Sequence, residues 1–296
     1  MNFNKKTGSG SLLILLAGTF WGSMGIFSRA MNRLGLTSPH VAMVRFVLGA
    51  LIFAVVLAVT DRAHFWITRR DIPLFLGLGI GSVLFFSLCY FRAIELMPLA
   101  TAAILLYTSP IWVMLLSALL VHERLTARKL VALALAFGGC VLVSGISGGG
   151  LSAAGLLVGL GAGFGYAMYS ILATVALRRY PPLTVTTWTF VFAALGSLLV
   201  CDLPGFAAVL RIAPASTLLW LIPVATLITA VTPYLSYTKG LQRTEPGRAA
   251  ILATVEPVVA ALFGVFIFHE RPTLTALVGI ALVLAAIAVL NPGARK

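Results

Sequence analysis

Apolar residues run through this chain in ten blocks, near 11–31, 39–60, 72–92, 99–121, 128–146, 152–177, 183–201, 216–238, 247–268 and 273–291. Each is about as long as the 20 or so apolar residues that a helix needs to cross a bilayer. Short polar breaks separate them, and SGISGGG (144–150), after the fifth block, is the best linker. VHERLT at 121–126 returns as FHERPT at 268–273, 147 residues later. In that register Ala102-Ala103-Ile104-Leu105 falls on Ala249-Ala250-Ile251-Leu252, Pro110 on Pro257 and Tyr90 on Tyr237. Residues 90–144 and 237–291 share 15 identities in 55 positions, which common apolar composition alone does not explain. Phe20 and Met24 likewise meet Phe164 and Met168 at a shift of 144. The pattern predicts a first five-helix repeat over 1–146, a Gly-rich linker at 147–151 and a second repeat over 152–296. Five is odd, so the second repeat crosses the membrane in the opposite sense, the inverted plan common in secondary transporters. The fold expected is an all-α integral membrane protein of ten transmembrane helices in two inverted five-helix repeats.

Composition supports a lipid-solvated chain: 60% of residues are hydrophobic and 10% charged, where a soluble protein has about a quarter charged. The net charge of +13 would suggest nucleic acid in a soluble protein, but its distribution suggests topology. With both termini inside, the cytoplasmic segments hold Lys5, Lys6, Arg62, Arg69, Arg70, Arg124, Arg128, Lys129, Arg178, Arg179, Lys239, Arg243, Arg248, Arg295 and Lys296. The outer side holds Arg29, Arg33, Arg92, Arg211 and Arg271, and Arg45 lies within span two. This bias is the positive-inside rule, so no nucleic-acid partner is needed. Lys5 and Lys6 before an apolar run resemble a signal peptide, but the run continues to Ala30 without a small-residue cleavage site and reads as an uncleaved first span.

Chemical motifs are few. The HER triplets lack the second His of a zinc-protease pattern and read as polar helix ends with local hydrogen bonds. Cys89, Cys140 and Cys201 have no paired spacing and read as small core residues. GLGAGFG at 159–165 lies inside a span and does not satisfy the dinucleotide fingerprint, so it reads as a packing surface. No Gly-x-x-x-x-Gly-Lys-Ser/Thr occurs, so the chain has no P-loop ATPase of its own. The expectation is no catalytic residue, no metal and no cofactor.

Pro110 and Pro257 fall near the middles of spans four and nine. Each frees the carbonyl four residues back, at Leu106 and Ala253, which in lipid has to face a cavity or a polar neighbour. They read either as hinges at a substrate site or as kinks that shape packing. Aromatic and polar candidates for a substrate wall are Trp21 on span one, Phe86 and Tyr90 on span three, and Tyr107, Ser109 and Trp112 on span four, with Phe164, Tyr166 and Tyr169 on span six. Ser82 and a stripe of Thr226, Thr229, Thr232 and Ser236 accompany them. Glu256 is the carboxylate near the centre of a span, by default a proton relay or a partner for a substrate ammonium; the alternative is a structural carboxylate, protonated or bonded to Thr and backbone groups in the bundle. Arg45, about 9 Å below Pro39 at 1.5 Å per residue, reads as snorkelling to the outer interface or tethering a helix, with contact to a substrate carboxylate as the alternative. His40 and His64 read as solvated span ends, and Trp66 and Tyr180 as interfacial belt residues.

FWGSMG at 20–25, RFVLGALIF at 45–53, LYTSPIWVMLLSALLVHERLT at 106–126 and VEPVVAALFGVFIFHERPT at 255–273 together resemble the EamA-type exporters of the drug/metabolite transporter superfamily, over nearly the whole chain. The resemblance implies ten spans in two inverted halves and export of amino acids or small metabolites across a bacterial cytoplasmic membrane. It extends to the aromatic amino acid exporters of that group. Ser109-Pro110 stands where the second half has Glu256-Pro257, so the acidic position is not mirrored. The expected partners are a small-molecule substrate and the lipid bilayer, with homo-oligomerisation left open. Export of other lipophilic metabolites or drugs, a passive channel and a membrane-embedded lipid-modifying enzyme are the alternatives. The enzyme is disfavoured because the two HER turns lie on opposite faces.

Overall fold

A computed structural model of the protein describes residues 7–145 and 152–290. The linker at 147–151, most of SGISGGG, and the terminal charges Lys5, Lys6, Arg295 and Lys296 lie outside the described residues. Among these, nine helices are long and apolar enough to span a membrane: Gly8–Arg33, Ser38–Thr60, Arg69–Leu96, Leu99–Val121, Ala127–Ser144, Ala153–Ala176, Pro182–Val200, Ala215–Leu241 and Pro246–Phe268. A tenth apolar helix, Leu274–Leu290, has 17 residues. In chain order these are spans one to ten. The protein is an all-helical, multi-pass membrane protein of two inverted repeats.

Side chains in the breaks define where spans begin. The Thr37 hydroxyl accepts from His40 N while His40 Nδ1 accepts from Thr37 N, a reciprocal cap at the start of span two. Thr126 and Ser152 cap spans five and six by accepting from Lys129 N and Gly155 N. Spans four and nine end alike. His122 and His269 take left-handed backbone at φ 58 and 55. The following amides, of Glu123 and Glu270, donate back to Ser117 O and Gly264 O, each at 3.0 Å. That six-residue closure satisfies carbonyls that a helix end leaves open. Both HER triplets are therefore helix terminators.

Irregular backbone recurs at equivalent depth in the two halves. Wider π-type turns occupy Gly79–Leu84 in span three and Leu227–Val231 in span eight, which overlap at the 147-residue shift. Span four breaks after Leu106 and restarts at Ser109, and span nine breaks after Ala253 and restarts at Val255. The prolines thus lie at the starts of new helical segments, not inside kinked ones. There the missing N–H costs nothing. Thr108 and Thr254 stabilise the breaks by donating to Leu105 O and Ile251 O.

Glycines let the repeats interlock. A Cβ on Gly18 of span one would lie 3.0 Å from Ala253 O, and one on Gly22 would lie 2.8 Å from Glu256 O, so span one lies directly against the break in span nine. Span six lies the same way against the break in span four, where a Cβ on Gly163 would meet Leu105 O at 2.8 Å. Spans five and ten cross at Gly139 and Gly279, each approaching the other's carbonyl at the equivalent of 2.7 Å. The pseudo-equivalent positions, Ala286 and Ala132, are fully buried. An amphipathic helix, Leu203–Ile212, joins spans seven and eight and is capped by Asp202, which accepts from Gly205 N.

Candidate functional site

Two small chambers meet near the middle of the bundle. The first, about 250 Å³ of space between atoms, is walled by Trp21, Ser82, Val83, Phe86, Tyr166, Tyr169, Tyr234 and Tyr237. The second, about 280 Å³, lies between the broken helices, bounded by Leu106, Tyr107, Ser109 and Pro110 from one half and Ala250, Ala253, Thr254 and Glu256 from the other. Tyr166 walls both. In this conformation each chamber has room only for water-sized molecules.

Trp21 is the centre of the aromatic wall. Its ring meets those of Tyr166, Tyr234 and Tyr237 at centroid separations of 6.0, 5.4 and 5.3 Å, and Phe86 meets Tyr166 edge-on at 5.5 Å. Such edge contacts favour a fixed geometry beyond what area burial gives. Two hydroxyls are fixed by neighbours: Tyr169 pairs with Thr238 at 2.6 Å and Tyr237 with Ser170 at 2.7 Å. The hydroxyls of Tyr107, Tyr166 and Tyr234 make no hydrogen bond among the described residues, so they remain available to a solute. Ser82 donates to Gly165 O and ties span three to span six.

Of the residues expected from sequence, Trp21, Phe86, Tyr107, Ser109, Pro110, Tyr166, Tyr169 and Glu256 come together at these chambers, and Pro257 follows Glu256 at the restart of span nine. Tyr90 stacks on Phe86 and packs against the cluster of Ala93, Met97 and Ala102, and is not part of either chamber's lining. Trp112 and Phe164 pair with each other at 5.6 Å, with Phe164 37% exposed on the outside of the bundle. Tyr234, Tyr237 and Thr254 were not among the expected residues. Tyr237 was within reach, since it is the repeat partner of Tyr90. The polar stripe of span eight lines neither chamber: Thr229 Oγ1 donates to Ala225 O of its own helix, and Thr226 Oγ1 is buried with no partner among the described residues.

Some polar side chains sit elsewhere than expected. Of the two roles read for Arg45, it tethers helices and does not snorkel: its Nη2 donates to Thr229 O at 2.6 Å and ties span two to span eight. That carbonyl would normally accept from residue 233, a proline without an N–H, and the guanidinium takes the vacant place. His40 is buried, its Nε2 donating to Asp202 O at 3.0 Å because Nδ1 accepts from Thr37 N. His64 stays exposed beside Asp61. Tyr180, read as a belt residue, instead donates to Asp71 Oδ2 and accepts from Thr68 N.

The sequence pattern of the EamA-like transporter family matches residues 8–145 and again 153–291. An "uncharacterized transporter" of Archaeoglobus fulgidus is 32% identical over 278 residues, covering 94% of both chains. The "uncharacterized inner membrane transporter YicL" of Salmonella typhimurium is 24% identical over 299 residues, covering 98% of each chain. The "pseudopaline exporter CntI" of Pseudomonas aeruginosa is 26% identical over 283 residues, covering 95% of each chain. A solved crystal structure superposes with a TM-score of 0.76 at 21% identity, over 95% of this chain and 96% of that one, and so shares the fold.

Proposed function

The chain belongs to the EamA-like transporter family and is a transporter, not an enzyme; from that premise we propose that it exports small metabolites by alternating access, with aromatic or other apolar amino acids as the substrates that best fit its cavity. The observation that carries this reading is the second chamber, at the breaks of spans four and nine, where residues from both repeats face one another and Tyr166 joins it to the aromatic first chamber. Sites of this kind, at broken helices on the repeat interface, are where inverted-repeat carriers hold their substrates. The first chamber is walled mainly by aromatic rings, and the deep charges nearby are Glu256 and Arg45. A polyanionic substrate would require several cations there. An amino acid does not fit the chambers as they stand, so loading requires the halves to move, with Pro110 and Pro257 at the restarts of the hinge helices. Placement in a bacterial cytoplasmic membrane, with both termini inside, follows from the Lys and Arg bias and agrees with the inner-membrane relative.

The test is reconstitution in liposomes and uptake of labelled phenylalanine, tryptophan, threonine and glutamate, with and without substrate on the far side. Saturable uptake of the aromatic pair, accelerated by substrate in trans, is expected of the carrier. Unsaturable flux without trans-acceleration would make it a channel, and no flux of any of the four would remove the amino-acid assignment.

A further inference from the structure

Beyond its tie to span eight, the deep cation Arg45 has donors to spare. Arginine has five N–H donors; one from Arg45 reaches Thr229 O, while Nε is buried with no partner among the described residues. Arg45 makes no ion pair among them either. A cation inside a membrane protein that is neither paired nor at the interface marks a ligand path by default, and an unsatisfied buried donor on it is costly. The bond to Thr229 O fixes the guanidinium beside span eight, one turn from Tyr234 on the first chamber wall. Glu256 presents the complementary case. Its carboxylate lines the second chamber and accepts no hydrogen bond among the described residues. Arg45 and Glu256 are close enough for their charges to interact.

We propose that Arg45 is the pole of the substrate site that takes a carboxylate and Glu256 the pole that takes an ammonium, so that the cavity selects zwitterions over singly charged analogues. The inference rests on the exporter reading above and gives it a recognition mechanism. A zwitterion satisfies both poles at once and adds no net charge to the membrane interior. A ligand with one charge leaves the opposite pole buried and unpaired, which is the more strongly penalised arrangement. The aromatic wall then holds the side chain.

The test measures competition against labelled phenylalanine on the purified, full-length protein by three ligands: phenylalanine, phenethylamine, which lacks the carboxylate, and 3-phenylpropionate, which lacks the amine. The wild-type protein is expected to prefer phenylalanine over each analogue by about tenfold or more, the value of one charge-assisted contact. Arg45→Gln is expected to abolish the preference over phenethylamine and keep that over 3-phenylpropionate, and Glu256→Gln to do the reverse. A purely structural arginine would weaken all three ligands together, leaving both ratios unchanged, and that result overturns the proposal. So does wild-type protein that binds phenethylamine as tightly as phenylalanine. If Arg45→Gln does not fold, Arg45→Lys replaces the fork by a point charge and is expected to lower the phenethylamine ratio alone; an unchanged ratio overturns the proposal. Wild-type protein that binds none of the four amino acids of the transport panel brings down the exporter's substrate class as well. Binding with insensitive ratios brings down the two poles alone.

Discussion

His122 and His269 hold a backbone conformation that costs an L-residue about 1 kcal/mol or more, and their side chains are exposed. Glycine adopts that conformation freely. His122→Gly and His269→Gly are therefore expected to raise stability by up to ~1 kcal/mol, and His122→Val to lower it, in thermal melts of the detergent-solubilised protein. The glutamates that follow are alike in sequence and unlike in setting. The Glu123 side chain is 2% exposed, pairs with Lys129 at 2.8 Å and accepts from Gly247 N, while Lys129 also reaches Glu245 at 2.7 Å. Glu270 pairs with Arg29 in the open, the two side chains 55% and 54% exposed. Breaking the buried arrangement with Glu123→Ala is expected to cost roughly 3 kcal/mol. Glu270→Ala is expected to cost under ~1 kcal/mol. Equal losses in the two melts would contradict this account. The HER repeat was legible as a pair of helix ends. The difference between them was partly legible too, because the position of Lys129 is Ala276 in the second half. What could not be read was that Glu123 and Gly247, 124 residues apart, would meet.

The small-residue faces of spans one and six were also legible as surfaces for close packing, but nothing local says which helix they meet. The structure crosses them over: span one of the first repeat supports the broken helix of the second, and span six of the second supports that of the first. The consequence is testable at Gly163. An alanine there places a Cβ 2.6 Å from Thr108 Oγ1 and 2.8 Å from Leu105 O, and the carbonyl belongs to the segment whose break it would disturb. Gly18→Ala sets its Cβ 2.6 Å from Val255 Cγ1 and 3.0 Å from Ala253 O. Both variants are expected to fold and to lose transport several-fold in the liposome assay, since they displace the restart segments carrying Pro110 and Pro257. Gly138→Ala, in the interior of span five with nothing within 4 Å of the new atom, is the control. It is expected to keep full transport and gain up to ~1 kcal/mol from helix propensity. Wild-type transport in Gly163→Ala and Gly18→Ala would show that the breaks do not depend on this packing. The polar stripe of span eight teaches the converse lesson: a helical period of hydroxyls looked like a cavity wall, yet a hydroxyl such as that of Thr229 can turn to its own preceding carbonyl, and the chamber went to the tyrosines beside the stripe.

Across the whole molecule, the ten spans and their inversion follow from apolar length and an odd repeat, and the Lys and Arg bias is the ground for the proposed orientation. Closure of the ends could not be read, because it depends on polar ties between distant loops. On the face assigned to the cytoplasm, the ties between the halves that involve ion pairs among the described residues are Glu123–Lys129–Glu245, and Asp71 held by Arg179 at 2.6 Å and by the Tyr180 hydroxyl at 2.7 Å. On the opposite face the ion pair between halves, among the described residues, is Arg29–Glu270, with the Arg29 guanidinium 4.2 Å from the centre of the Phe268 ring. If access alternates, each set of ties has to open in turn, and weakening one set must favour the state open on that side. The measurement replaces Cys89, Cys140 and Cys201, places a single cysteine at Ser109 in the second chamber, and follows labelling by a membrane-impermeant thiol reagent from each face of oriented vesicles. Removing about 1 kcal/mol of tie shifts a two-state equilibrium roughly five-fold. Asp71→Asn is therefore expected to speed labelling from the cytoplasmic face about five-fold and leave the outer rate unchanged or slower, and Arg29→Gln to do the opposite. Faster labelling from the wrong face would reverse the orientation drawn from the charges. Rates that rise from both faces together would mean that the ties hold the fold and not the gates.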